Sequence, residues 1–284
     1  MFKLLIAEIK RYLQSICFIS EVILLFLIHM IQLKGFLPFI SWGTNLLENT
    51  SQICIITSIL TSIYIGNEFS YKTIQSKILL GYNRQDIYLS YIFSLALGNI
   101  CLVIIDTIFY TIGSIIWKIP FNQSSTFIIV NTLVFASAIG CISIIACSLS
   151  LLLKSKNLLP IILFVISIYF LSQGKRNLNV LTDSKATFVE AHMENSEDAK
   201  ELIHDSKGKI TDSSRTNLNF RISISPYGQC SYATYISVEQ KDEKKDLSFL
   251  FKNNPYHLDF LLFNTGWTLS TIFIGIYIFK KQNI

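Results

Sequence analysis

The chain has 284 residues, of which 51% are hydrophobic and only 15% charged, with a net charge of +5. A soluble domain carries about 25% charged residues, so an ordinary water-soluble globule is excluded. The apolar residues gather into runs near or above the roughly 18 to 20 that a helix needs to cross a bilayer core. The positive charge does not point to nucleic acid, because the basic residues flank apolar runs instead of forming one groove or stripe.

Phe2, Leu5, Ile6, Ile9 and Leu13 recur at helical spacing, with Lys3, Lys10, Arg11 and Gln14 on the other side. The pattern predicts an amphipathic helix over residues 1–15 lying in the membrane interface. Six predicted spans follow, at Ile16–Leu33, Ser51–Ile65, Ile87–Ile116, Thr126–Leu153, Asn157–Ser172 and Pro255–Phe279. No small-x-small cleavage site follows the first, so it reads as a retained span. The fifth is short for a complete crossing and begins near Pro160. The sixth opens on Asn254 and Pro255, a capping side chain followed by a residue that needs no backbone donor. The expected domains are therefore 1–15, 16–172 with a polar segment at 67–87, a polar insertion at 173–254, and a last span with a short tail at 255–284.

Basic residues resist translocation, which sets the orientation. With both termini inside, the inner segments hold Lys3, Lys10, Arg11, Lys72, Lys77, Arg84, Lys154, Lys156, Lys280 and Lys281, and the short outer loops hold only Lys34 and Lys118. The insertion then lies outside the cell. Asn195 and Ser196 can cap a short helix carrying Glu197, Asp198 and Glu201, closed near Gly208, while Leu218, Phe220, Ile222 and Ile224 alternate with polar residues as in a strand. Pro226 and Gly228 in SPYGQ mark a turn. The expected fold is an all-α membrane protein of six spans, with an N-terminal interfacial helix and a mixed α/β extracellular insertion between spans five and six.

Catalytic signals are missing. The nearest string to a phosphate-cradling G-x-x-x-x-G-K-[ST] loop, GNEFSYKT from Gly66 to Thr73, lacks the glycine before the lysine. No H-E-x-x-H or G-x-S-x-G is present. Glu197, Glu201 and His204 would share a helix face near His192 and Glu194, but clustered acids usually form the wet face of a soluble helix. No metal is assigned to them. Five of the six cysteines, Cys17, Cys54, Cys101, Cys141 and Cys147, lie inside apolar runs as small hydrophobes, and Cys230 has no obvious partner. Glu21, His29 and Asp106 interrupt apolar runs; such residues face the bundle interior, pair, or line a pathway. Simpler roles are a place near the headgroups for Glu21 and hydrogen-bonded packing between helices for Asp106.

The segment from Asn67 to Ile92 is too polar at its start for an ordinary span. Tyr71, Ile74 and Ile78 form an apolar stripe with Lys72 and Lys77 off it, Gly81 is placed to end the helix, and Asn83 with Asp86 can cap the next. Glu68, Thr73, Ile74, Lys77, Gly81, Tyr82, Arg84, Ile87 and Tyr88 resemble the segment between the second and third spans of ABC-2-type permeases, and more narrowly the bacterial peptide-antibiotic export and immunity branch. SPYGQ resembles the family more weakly.

The resemblance implies a permease subunit in a bacterial plasma membrane, not itself an enzyme, exporting a hydrophobic or peptide-like cargo. It also implies two permease subunits, identical or related, above two copies of a cytosolic ATPase that alone binds ATP and Mg. The coupling residues would be Glu68, Phe69, Tyr71, Lys72, Thr73, Ile74, Lys77, Ile78, Gly81 and Arg84. A membrane sensor whose outer segment binds a ligand is the alternative, although such a sensor needs an output domain and this chain has only short inner loops.

Overall fold

The computed structural model describes residues 2–36, 49–116, 125–153, 157–193, 212–239 and 256–281. All regular structure there is helical: α1 (Phe2–Leu13), α2 (Ile16–Phe36), α3 (Thr50–Ser70), α4 (Thr73–Leu79), α5 (Arg84–Ile116), α6 (Ser125–Leu153), α7 (Leu158–Met193), α8 (Asp212–Ile224), α9 (Pro226–Glu239) and α10 (Tyr256–Lys281). Helices suit the medium, because a bilayer offers no partner to an unpaired backbone group. Five helices are long and apolar enough to cross a membrane, within α3, α5, α6, α7 and α10; α1 and α2, bent by 48° at their junction, make a sixth candidate when taken as one broken span. The chain is a multi-pass helical membrane protein.

The bundle is built around α6. Of its apolar window 72% is buried, against 22% for α7 and 11% for α10. Its residues explain the position: Ala136, Ser137, Ala138, Gly140, Cys141, Ser143, Ala146, Cys147 and Ser148 are small and let neighbouring backbones close in. Several hydroxyls within the spans donate to their own helix, as Ser143 and Ser150 do to the carbonyls of Ile139 and Ala146, each at 2.7 Å.

Sequence expectations fail in three places. Leu218, Phe220, Ile222 and Ile224 lie in helix α8, not in a strand, and no strand occurs among the described residues. Wedged against α7, α9 and α10 with no strand beside it, this segment satisfies its backbone internally, and the Ile224 carbonyl accepts from the Trp267 indole at 2.8 Å. The helix of span five does not stop at Ser172: its apolar stretch reaches Leu178 and α7 continues to Met193. The insertion, lastly, is not wholly peripheral. After Pro226 opens α9, every residue from Pro226 to Ala233 is buried, and α9 packs on α7, α3, α6 and α10. The expected helix around Glu197 lies outside the described residues.

Hydrogen bonds hold α9 in place. Ser225 caps it, its hydroxyl accepting from the Gly228 amide at 3.4 Å. Gln229 donates to the Ser223 carbonyl at 2.8 Å and accepts from Asn264 at 2.9 Å, while Ser231 donates to the Leu171 carbonyl at 2.9 Å. Cys230 and Cys54 of α3 are both wholly buried in the main apolar core.

Candidate functional site: a charge cluster joining four helices

The sequence between α3 and α5 folds as the spacing predicts in outline but not in detail. α3 runs on to Ser70, so Glu68 and Phe69 belong to its last turn. The chain then breaks at Tyr71 and Lys72, where Lys72 adopts a left-handed φ of 55°, and α4 occupies only Thr73–Leu79. Gly81, at φ +89°, ends α4. Its amide donates to the Ile78 carbonyl at 3.0 Å and that of Tyr82 to Lys77 at 3.2 Å, the paired bonds of a Schellman cap. Arg84 starts α5 and reaches the Lys280 carbonyl at 3.5 Å, so the end of α10 lies beside the start of α5.

Ile74 and Ile78 do not form a free face. Ile74 has no exposed surface and Ile78 packs against the main core, because α4 folds back onto the bundle instead of standing away from it. The exposed apolar side chains of this segment are Tyr71 (75%), Leu79 (87%), Leu80 (76%) and Tyr82 (41%).

Lys77 also points inward, at 8% exposure. Its ammonium pairs with Glu8 of α1 at 2.6 Å, donates to the Tyr91 hydroxyl of α5 at 2.6 Å, and lies 4.1 Å from the Tyr91 ring centroid. Burial lowers the Lys77 pKa, and Glu8 pulls it back. Arg11 of α1 pairs with Glu8 at 2.9 Å and with Glu68 of α3, and donates to Tyr91 at 3.0 Å and Tyr64 at 3.3 Å. The Tyr91 hydroxyl gives its single hydrogen to Glu68 at 2.6 Å. Two acids and two bases thus cancel, and each ion touches at least one of opposite sign, the condition under which buried charge is tolerated. The cluster ties α1, α3, α4 and α5 together at one end of the bundle. Through it α4 is joined directly to α1 and to the ends of two spans.

Deeper in, Tyr12 of α1 fills a notch opposite Gly98 of α5, where any side chain would overlap its ring. Its ring meets Phe18 and Tyr64 edge-on at centroid distances of 5.5 and 5.1 Å, contacts worth about 0.5–1.5 kcal/mol each. Its hydroxyl reaches Asn99 and Glu21.

The expected pathway residues separate. Glu21 is wholly buried beside Tyr12; Asp106, 3% exposed, borders a different, water-sized cleft with Thr50, Thr107 and Thr132. The His29 side chain lies outside the described residues, as do Glu194, Glu197, Glu201 and His204 and the side chain of His192. Among the described residues no group of His, Cys, Asp and Glu could hold a metal.

Sequence reading missed Glu8, Tyr12, Tyr64 and Tyr91. A signal existed for two of them: Leu4, Glu8 and Tyr12 repeat at four-residue spacing, and this is the stripe α1 buries, while the more apolar Phe2 and Ile6 stay exposed. Comparison with protein-family models, curated proteins and solved structures found no match to this chain.

Proposed function

We propose that the chain is the membrane-spanning subunit of an ABC-type exporter, driven by a separate cytosolic ATPase. The observation that carries this reading is the segment between α3 and α5. It is a short helix anchored from behind by Ile74 and Lys77, and it presents Tyr71, Leu79, Leu80 and Tyr82 to an occupant. Four exposed large apolar side chains on one connection are a docking surface more than a solvated turn. Lys72 and Arg84 flank them and set register. The positive-inside rule puts this end in the cytoplasm, since Lys3, Lys10, Arg11, Lys72, Lys77, Arg84, Lys280 and Lys281 fall on segments at this end.

In this reading, closure of two ATPase copies on ATP and Mg pushes α4. The push passes through Lys77, Glu8, Arg11 and Glu68 to α1 and the spans, tilting them as rigid bodies. A second permease subunit completes the pathway, and the cargo is hydrophobic or peptide-like.

The test is co-purification from the native host. Leu79→Asp combined with Leu80→Asp touches no core residue and is expected to release an ATP-binding chain that the wild type retains, while insertion and melting stay unchanged. Retention of that chain by the double variant, or absence of any ATP-binding chain from the wild type, sinks the proposal.

A further inference from the structure

Glu21 sits in α2 with no exposed surface. Its Oε2 lies 3.0 Å from the Tyr12 hydroxyl, and its Oε1 has no partner. The Tyr12 hydroxyl holds one hydrogen and faces two oxygens, that of Glu21 and the Oδ1 of Asn99 at 2.6 Å. The far side of Asn99 fixes which of them receives it. Asn99 Nδ2 lies 2.7 Å from Ser143 Oγ and 3.0 Å from Thr61 Oγ1, and the hydrogen of Ser143 is committed to the Ile139 carbonyl at 2.7 Å. Ser143 is therefore an acceptor, Nδ2 faces it, and Oδ1 is turned to Tyr12. The shorter contact takes the Tyr12 hydrogen. The hydrogen between Tyr12 and Glu21 must then come from Glu21.

The surroundings agree. An ionised Glu21 would meet a lone pair on Tyr12, leave Oε1 bare and have no ion pair with any described lysine or arginine, an arrangement that buried charge does not tolerate. The helices packed on α2 are α1, α3 and α5. Against the carboxyl they present the Tyr12 hydroxyl, which itself lies beside Tyr64 and the neutral Asn99, and α2 adds Cys17. The nearby charges, Glu8, Arg11, Glu68 and Lys77, are engaged with one another.

We infer that Glu21 is a proton-binding site: a neutral carboxylic acid whose O–H donates to Tyr12 and so locks the elbow between α1 and α2. Swinging α1 outward removes the acceptor and admits water, and the acid then releases its proton. Closing the elbow takes up one proton and opening it gives one back. By linkage the closed form is favoured at lower pH and the open form as pH rises. The inference does not depend on the export reading, since it rests on hydrogen-bond geometry alone.

Infrared spectroscopy of the intact protein in lipid, at neutral pH, tests it. The wild type should show the carbonyl band of a protonated carboxyl. Glu21→Gln should lose that band, Asp106→Asn should keep it, and Tyr12→Phe should shift it by removing the acceptor. No such band in the wild type, or one that survives Glu21→Gln and vanishes in Asp106→Asn, overturns the inference. Should Glu21→Gln fail to fold, Tyr12→Phe decides, and a band left in place overturns it.

Discussion

Removing the Lys77 ammonium leaves Glu8 with Arg11 alone, in a site with little access to water. Breaking one partner out of a buried ion pair costs roughly 3 kcal/mol, so Lys77→Met should lower the stability of the detergent-solubilised protein by about that amount in an unfolding titration. Adding Glu8→Gln should cost much less than its own single effect, because the two residues share one interaction. At Gly98 the notch for Tyr12 leaves no room for a methyl group, and Gly98→Ala should destabilise by about 1–3 kcal/mol through overpacking. Gly266 of α10 has open space around its Cβ position. There the same change should be neutral or stabilising by about 0.5–1 kcal/mol, since alanine is the better helix former; thermal melting of the two variants side by side checks the contrast. The sequence singled out Glu68, an acid that needs a basic partner once it is buried. It did not reveal Arg11 as that partner, because the pairing depends on how α1 folds back across α3 and α5, and local periodicity contains nothing of that.

The apolar runs announced α3, α5, α6 and α10 as candidate spans, whereas the length of α7 was not legible, because past Leu178 its sequence is no longer apolar. The left-handed Gly81 was legible too, for a reason that is local and steric. α4 was legible as a helix but not in its facing: an amphipathic stripe announces that one side will be covered, not whether by the same chain or by another. Here the same chain covers Ile74. α8 shows the opposite difficulty, since four alternating apolar residues suit a strand as well as they suit two faces of a wedged helix, and only its neighbours decide. For α9 the structure makes a prediction that sequence could not. Cys54 of α3 and Cys230 of α9 are buried in the same core where the two helices pack, so in a variant keeping only these two cysteines, mild oxidation should form an intrachain disulfide detectable by mass spectrometry. If no bridge forms, α9 does not occupy that slot.

At the scale of the whole molecule, hydropathy and charge asymmetry foretold a multi-pass bundle, whereas the order of burial, α6 innermost and α10 outermost, follows from side-chain size and shows only once the helices are packed. The charge cluster at α4 and the elbow at Tyr12 are separated by a single helical turn of α1, from Glu8 to Tyr12, so a displacement of α4 and a proton on Glu21 would act on the same lever. At the opposite reach of the bundle, Leu178 near the middle of α7 and Ile222 in α8 share one apolar cluster with Val134, Tyr232 and Phe260. The chain between them therefore departs from and returns to the same spot, and that gives the molecule a natural splice point. A fluorescent reporter grafted into the sequence between Met193 and Asp212 lies outside that cluster and should leave it intact.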